Sequence, residues 1–179
     1  MQYFIGIVPP DDLKKKIVKF QQQWENNRLV EGVEPHITVK AQGALTPDMK
    51  WLEKVKKICE SFLSFEVMIR NPKFFGEDIL YLSVDSDELI KLHEILVETV
   101  APSKELIKHY FELDEYIPHL TLGQTQFGLT NLELNDMAIK ATEELTFPLT
   151  FKVECIRVYE SNESSKYLKL LDIPLRICN

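Results

Sequence analysis

The sequence is short of several features that would define a specialised chain. Six glycines and three cysteines among 179 residues leave no glycine-rich tract and no disulfide scaffold. Cys59, Cys155 and Cys178 form no Cys-x-x-Cys pair and are odd in number, so reduced thiols are expected. No apolar run approaches the roughly 18 residues that a membrane span requires. Met1 runs straight into Gln2-Tyr3-Phe4-Ile5-Gly6-Ile7-Val8 with no basic segment ahead of it. That is not the shape of a secretory signal, and a cytoplasmic protein is expected. Positive charge is scarce as well: 21 Lys and Arg stand against 28 Asp and Glu, a net charge of -7. The longest basic run is Lys14-Lys15-Lys16. A broad nucleic-acid surface depends on many Lys and Arg contacts to phosphate, and none is expected here. A pocket for one phosphate group or one strand end remains open.

What is present is an ordinary globular mixture, 45% hydrophobic and 27% charged. It suffices for one domain, or for two small lobes around a shared core. Tyr3 to Val8 is apolar up to Pro9-Pro10 and reads as a buried strand. Asp11 or Asp12 is expected to cap a helix with Leu13, Ile17, Phe20 and Trp24 on one face. His36 to Lys40 alternates as a strand. Thr46-Pro47 reads as a helix start, with Trp51, Val55, Ile58 and Phe62 facing inward. Phe65, Val67 and Ile69 alternate, turns are expected at Asn71-Pro72 and Gly76, and Ile79 to Val84 is another strand. The second half repeats the order. A helix spans about 86–100 with Leu89, Leu92 and Leu96 inward, and a short helix follows Ser103. His119 to Leu122 is a strand, a helix starts near Thr130, and strands cover 149–159 and 166–171.

The two halves keep a nearly constant offset. His36 to His119 is 83 residues, Thr46 to Thr130 is 84, and Phe65-Glu66-Val67 matches Phe151-Lys152-Val153 at 86. The same offset sets Tyr81-Leu82 on Tyr167-Leu168, so Tyr81 and Tyr167 are expected at equivalent places. Such constancy points to an old duplication. The expected architecture is α+β. Residues 1–179 form one domain of two pseudo-symmetric lobes, each an antiparallel sheet with helices on its outer face, enclosing a central cleft.

Pro35-His36-Ile37-Thr38-Val39 and Pro118-His119-Leu120-Thr121-Leu122 are the same phrase. With 9 Pro, 4 His and 9 Thr in the chain, random order would give one Pro-His-x-Thr about one time in a hundred. Successive side chains of a strand point to opposite faces. Ile37, Val39, Leu120 and Leu122 therefore face the core, while His36 with Thr38 and His119 with Thr121 face away from it. Taken singly, each pair reads best as a solvated strand face. The repetition shifts the balance to a site, with both imidazoles facing one cleft. Histidine titrates near neutrality, so one ring can accept a proton while the other donates one. Threonine hydroxyls can hold the non-bridging oxygens of a phosphoryl group during in-line attack.

The paired His-x-Thr-apolar motif resembles the two-histidine (2H) phosphoesterase superfamily, which includes 2′-5′ RNA ligase-like proteins and cyclic phosphodiesterases. The likeness is nearest to its small bacterial phosphoesterase branch. It extends to the opening strand, the segment 74–82 and the ending Val158-Tyr159-Glu160-Ser161…Tyr167-Leu168. The resemblance implies a hydrolase or transesterase without metal or cofactor, acting on 2′,3′-cyclic or 2′-5′ phosphodiesters. The partner would be a nucleotide or an RNA end, bound by His36, His119, Thr38 and Thr121. RNA ligation at the same site and non-catalytic binding of a nucleotide or RNA terminus are the alternatives. A net charge of -7 disfavours holding two RNA ends.

Weaker candidates surround the motif. Lys40 shares the parity of His36 and could steady a phosphate, and its counterpart Gly123 would open room on the other side. Tyr81 and Tyr167 could stack on a base, although aromatic side chains at strand spacing are more often core or rim. His93 and His109 read as surface histidines. No carboxylate joins either motif histidine on its strand face, so no metal site is expected. The Gly-x-Ser-x-Gly and P-loop patterns of nucleophilic and ATP-dependent enzymes are missing too.

Overall fold

The computed structural model describes residues 1–161 and 166–177. Cys178 lies outside the described residues. The chain runs β1 (Tyr3–Ile7), α1 (Asp11–Gln21), α2 (Leu29–Gly32), β2 (Ile37–Lys40), α3 (Lys50–Ser61), β3 (Phe65–Phe75) and β4 (Ile79–Asp85). It continues through α4 (Asp87–Val100), α5 (Lys104–His109), β5 (His119–Gln124), α6 (Asn131–Glu144), β6 (Leu149–Val153), β7 (Cys155–Ser161) and β8 (Tyr167–Pro174). The strands are antiparallel neighbours in the order β6-β3-β4-β5-β2-β1-β7-β8.

The α+β class and the antiparallel pairing agree with the expectation, but the two halves share one continuous sheet. The seam is the β2–β5 contact, with Ile37 opposite Leu120. Joining there removes two sheet edges that separate lobes would leave unpaired. The seam also brings the two His-x-Thr strands side by side. Ile37, Val39, Leu120 and Leu122 are fully buried in a core with Ile17, Phe20, Val55, Leu92, Leu134 and Met137 from the helices.

Local chemistry explains most element ends. Ser86, Ser103 and Thr130 accept hydrogen bonds from Leu89, Leu106 and Glu133 amides, capping α4, α5 and α6. Glu133 returns the bond to the Thr130 amide at 2.8 Å, closing a capping box. Four expectations fail. Pro10, not Asp11 or Asp12, holds the cap position of α1, and both aspartates lie in its first turn. Thr46-Pro47 opens a turn instead of α3: the Thr46 hydroxyl donates to Asp48 at 2.6 Å and its carbonyl accepts from Trp51 Nε1 at 2.9 Å. The helix then starts at Lys50. Asn71-Pro72 does not turn the chain but sits at a register shift inside β3, where proline's missing N–H costs no ladder bond. Residues 149–159 are two strands, broken at Glu154.

Candidate active site

His36 immediately precedes β2 and His119 opens β5, and both half-buried rings line one cleft of about 350 Å³ together with Thr38 and Thr121. Each ring is oriented in the same way. His36 Nδ1 lies 2.9 Å from the carbonyl of Glu34, and His119 Nδ1 lies 2.7 Å from that of Ile117. A carbonyl can only accept, so Nδ1 carries the proton of each neutral ring and Nε2 keeps its lone pair. The Glu34 side chain is itself clamped by Lys14 Nζ at 2.9 Å, Arg157 Nη1 at 2.6 Å and the Tyr159 hydroxyl at 3.0 Å. The carbonyls of the two threonines are also held. Tyr116 donates to that of Thr38 at 2.7 Å, and Gln21 Nε2 to that of Thr121 at 3.3 Å.

An irregularity follows both threonines. Thr38 pairs with Gly6 and Lys40 with Ile5, while Thr121 pairs with Tyr81 and Gly123 with Leu80. Two residues of the motif strand thus span one step of its partner, a bulge that breaks the alternation of faces. Lys40 consequently does not reach the cleft. It is fully buried, and its ammonium donates to the carbonyls of Ala41 and Gly43 at 2.9 and 2.7 Å and to Glu112 at 2.7 Å. Gly123 likewise opens no space in the cleft. A Cβ there would run into Leu129, Leu134 and Met137 beneath α6.

The two tyrosines are not equivalent either. Tyr81 is buried, stacked on Phe75 at 4.0 Å and packed edge-on to His119 at 5.4 Å. Tyr167 lines the cleft, its hydroxyl accepting from Gln42 at 3.1 Å and donating to Gln2 at 2.9 Å. By register the counterpart of Tyr81 is Gly6. A Cβ at Gly6 would lie 3.4 Å from the Phe4 ring and 3.5 Å from His36, so the missing side chain lets Phe4 fold over against the imidazole. Phe4 stacks on Tyr159 at 4.5 Å. Each histidine is therefore backed by a stacked aromatic pair. Sequence reasoning missed Phe4, Glu34, Gln42, Gln124, Gln126 and Phe127, all of which line the cleft. Gly6 inside an apolar strand was an available signal for a close approach.

His109 is exposed, as expected, but His93 is buried. Its Nδ1 donates to the Val39 carbonyl at 2.7 Å, its Nε2 accepts from the Leu113 amide at 2.8 Å, and its ring stacks on Tyr116 at 3.7 Å. It ties α4 and the 110–116 loop to β2. A second, more apolar chamber of about 550 Å³ lies under that loop and shares Thr38, Gln42 and His119 with the cleft.

Burial pushes the His36 imidazole down to about 4, and the facing charge of His119 adds to this, against the opposing pull of Glu34. His119 is lowered too, again by burial, with the Ile117 carbonyl opposing. Burial thus pulls both rings toward the neutral form. Two lone-pair nitrogens and two hydroxyls in one cleft can take a proton on one ring, give one from the other once it is protonated, and hold an oxyanion.

The sequence pattern of the 2′-5′ RNA ligase superfamily matches residues 9–164. An RNA 2′,3′-cyclic phosphodiesterase from Methanocaldococcus jannaschii is 28% identical over 171 residues, covering 90% of this chain and 91% of that one. The fold is similar to that of TT0787 from Thermus thermophilus, with a TM-score of 0.65 and 16% identity over 98% of each chain. It is also similar to E. coli LigT in complex with 3′-AMP, with a TM-score of 0.62 and 17% identity over 97% of each chain. At those identities the likeness carries the fold.

Proposed function

The chain belongs to the 2′-5′ RNA ligase superfamily, and from that premise we propose that it is a metal-independent phosphodiesterase acting on a 2′,3′-cyclic or 2′-5′ phosphodiester of a nucleotide or RNA end. The observation that carries this reading is the pair of imidazoles lining one cleft, each with Nδ1 engaged by a backbone carbonyl. The activity in the name of the M. jannaschii relative and the 3′-AMP bound to LigT support it. In the reaction, one neutral imidazole takes a proton from water as its oxygen attacks phosphorus. The bond from phosphorus to one ribose oxygen breaks, and the other, protonated imidazole returns a proton to that oxygen. The Thr38 and Thr121 hydroxyls hold the non-bridging oxygens, which gain charge in the transition state. A cytoplasmic setting belongs to the same proposal, supported by two free thiols, buried Cys59 and exposed Cys155.

The test is turnover of 2′,3′-cyclic nucleotides in the presence of EDTA, yielding one monophosphate isomer. His36→Ala and His119→Ala should each lower the rate by roughly 10²–10⁴-fold, and the double variant by less than the product of the two factors. Full activity in either single variant, or activity lost to EDTA and restored by zinc, would refute the mechanism. Saturable nucleotide binding without turnover would turn the reading to a sensor.

A further inference from the structure

Two successive carbonyls of β2 are held by side chains from outside the sheet. β2 pairs with β5 at Ile37, opposite Leu120. Past that pair the Thr38 carbonyl accepts from the Tyr116 hydroxyl at 2.7 Å, and the Val39 carbonyl accepts from His93 Nδ1 at 2.7 Å. Tyr116 belongs to the segment that leads into the second motif. The next residue, Ile117, supplies the carbonyl 2.7 Å from His119 Nδ1. One short stretch, 116–119, therefore grips the first motif at Thr38 and orients the ring of the second.

We propose that Tyr116 is a positioning residue that ties Thr38 to the His119 segment and so fixes the spacing between two groups acting on one phosphoryl group. The inference rests on the phosphodiesterase reading and adds a residue to it. Tyr116 lines the adjoining chamber and is not among the residues of the cleft wall, so it acts through Thr38. Thr38 stands beside the bulge, where pairing with β1 slips between Gly6 and Ile5, and the ladder alone holds its peptide loosely. A hydroxyl that is to hold a non-bridging oxygen tolerates little displacement, since misplacing a reacting group by about 1 Å costs about 10²-fold. The Tyr116 hydroxyl supplies the missing constraint.

The tyrosine is itself immobilised. Its ring stacks on His93 at 3.7 Å with 9° between the planes, and His93 Nε2 accepts from the Leu113 amide at 2.8 Å. The Tyr116 amide donates to the Leu113 carbonyl at 2.9 Å. Glu112 anchors the same loop to Lys40 and to the Ala41 amide. Phe111 and Leu113 hold φ of 53° and 57°, values that residues other than glycine keep only where their surroundings enforce them. Burial pushes the Tyr116 phenol up, so its hydroxyl stays a donor. The other threonine is held differently. Its carbonyl accepts from Gln21 Nε2 at 3.3 Å, an amide shared with the Leu122 carbonyl, and Gln21 lies on α1, apart from the Glu34 carbonyl that orients His36.

Tyr116→Phe removes the hydroxyl and keeps the ring on His93. In turnover of a 2′,3′-cyclic nucleotide by the intact protein it should lower kcat about tenfold. Combining it with each threonine variant separates positioning from a general loosening of the fold. In a Thr38→Ala background the same change should cost less than about twofold, because no hydroxyl remains to be placed. In a Thr121→Ala background it should keep its full cost. Calorimetric binding of 3′-AMP gives a readout that needs no turnover: Tyr116→Phe should weaken it about threefold, and only while Thr38 is present. An unchanged kcat in Tyr116→Phe, or an equal loss in both threonine backgrounds, overturns the inference. If cyclic nucleotides are not turned over but 3′-AMP binding follows this pattern, the phosphodiesterase reading fails and the positioning role stands. If turnover is seen and the losses are equal in both backgrounds, only the inference fails.

Discussion

Replacing Lys40 separates two roles for a lysine on a strand proposed to hold phosphate. Its side chain is 0% exposed and that of its partner Glu112 is 2% exposed, with 2.7 Å between them. Glu112 Oε1 also accepts from the Ala41 amide at 3.1 Å, whereas Oε2 is buried without a hydrogen bond. Burial raises the Glu112 carboxyl and lowers the Lys40 amine, each opposed by the charge of the other. Lys40→Met would leave that carboxylate buried with one amide donor. Breaking a buried pair from one side costs about 3–5 kcal/mol, a large part of the roughly 5–15 kcal/mol that holds a domain folded. For a chain of this size that is a fall in Tm of about 6–20 °C.

The double change Lys40→Met with Glu112→Leu removes both charges and fills the space with apolar atoms. It should recover to within about 2 kcal/mol of the original stability. Urea unfolding followed by the fluorescence of Trp24 and Trp51 measures all three proteins. The kinetic arm uses the double variant, in which KM for a cyclic nucleotide should change less than about threefold, because the Lys40 ammonium is fully engaged beneath the sheet. An unchanged urea midpoint for Lys40→Met, accompanied by a tenfold rise in KM, would return Lys40 to the phosphate and end this reasoning.

Acid should weaken the fold before it protonates the carboxylates. Burial holds the His93 imidazole down at about 4 from an ordinary 6.5, so its contribution is complete above pH 6.5 and is lost as the pH falls toward 4. Roughly 2 kcal/mol should be gone at pH 5, and identical urea midpoints at pH 7.5 and 5 would contradict it. Thr38→Ala and Thr121→Ala should each slow turnover about 10- to 100-fold, the worth of one hydrogen bond to a charged oxygen, with Thr→Ser milder. A threonine whose removal leaves kcat unchanged does not hold the phosphoryl group. Gly128→Ala should destabilise by about 1–3 kcal/mol, since φ is +108° and a Cβ would strike the Asn26 carbonyl. Because Phe127 lines the cleft beside it, KM should rise as well, and unchanged Tm and KM would refute the steric argument.

The part of the site legible in the sequence is the part governed by strand alternation. Two Pro-His-x-Thr phrases set the core residues Ile37, Val39, Leu120 and Leu122 on one face and the histidines and threonines on the other. That rule fails one step past each threonine, where the bulge turns Lys40 and Gly123 out of the cleft. A bulge is decided by pairing with β1 and β4; on β2 no residue announces it, and on β5 only Gly123 is of the kind that marks one. His93 was within reach of periodicity. It stands four residues after Leu89 and three before Leu96, on the stripe those leucines define, and its polarity disguised its burial. The partners that satisfy it, the Val39 carbonyl and the Leu113 amide, belong to distant segments.

The constant offset between the halves does not carry over to the tyrosines. It aligns Tyr81 with Tyr167, yet in the sheet β4 flanks β5 as β1 flanks β2, so the true counterpart of Tyr81 is Gly6. The two sides of the cleft are consequently alike in backbone and unlike in side chain. On one, Phe4 covers His36 and the orienting carbonyl belongs to the clamped Glu34. On the other, Tyr81 covers His119 and the carbonyl belongs to Ile117, half-exposed at 50% and beside the apolar chamber. Acid–base chemistry needs the two rings in different protonation states at the same moment, and a perfectly symmetric cleft would give neither ring a preference. Groups of one chemical kind acquire separate roles when their surroundings differ. The backbone repeat thus sets the positions of the imidazoles, and the departures from it in side chains are what can divide the work between them.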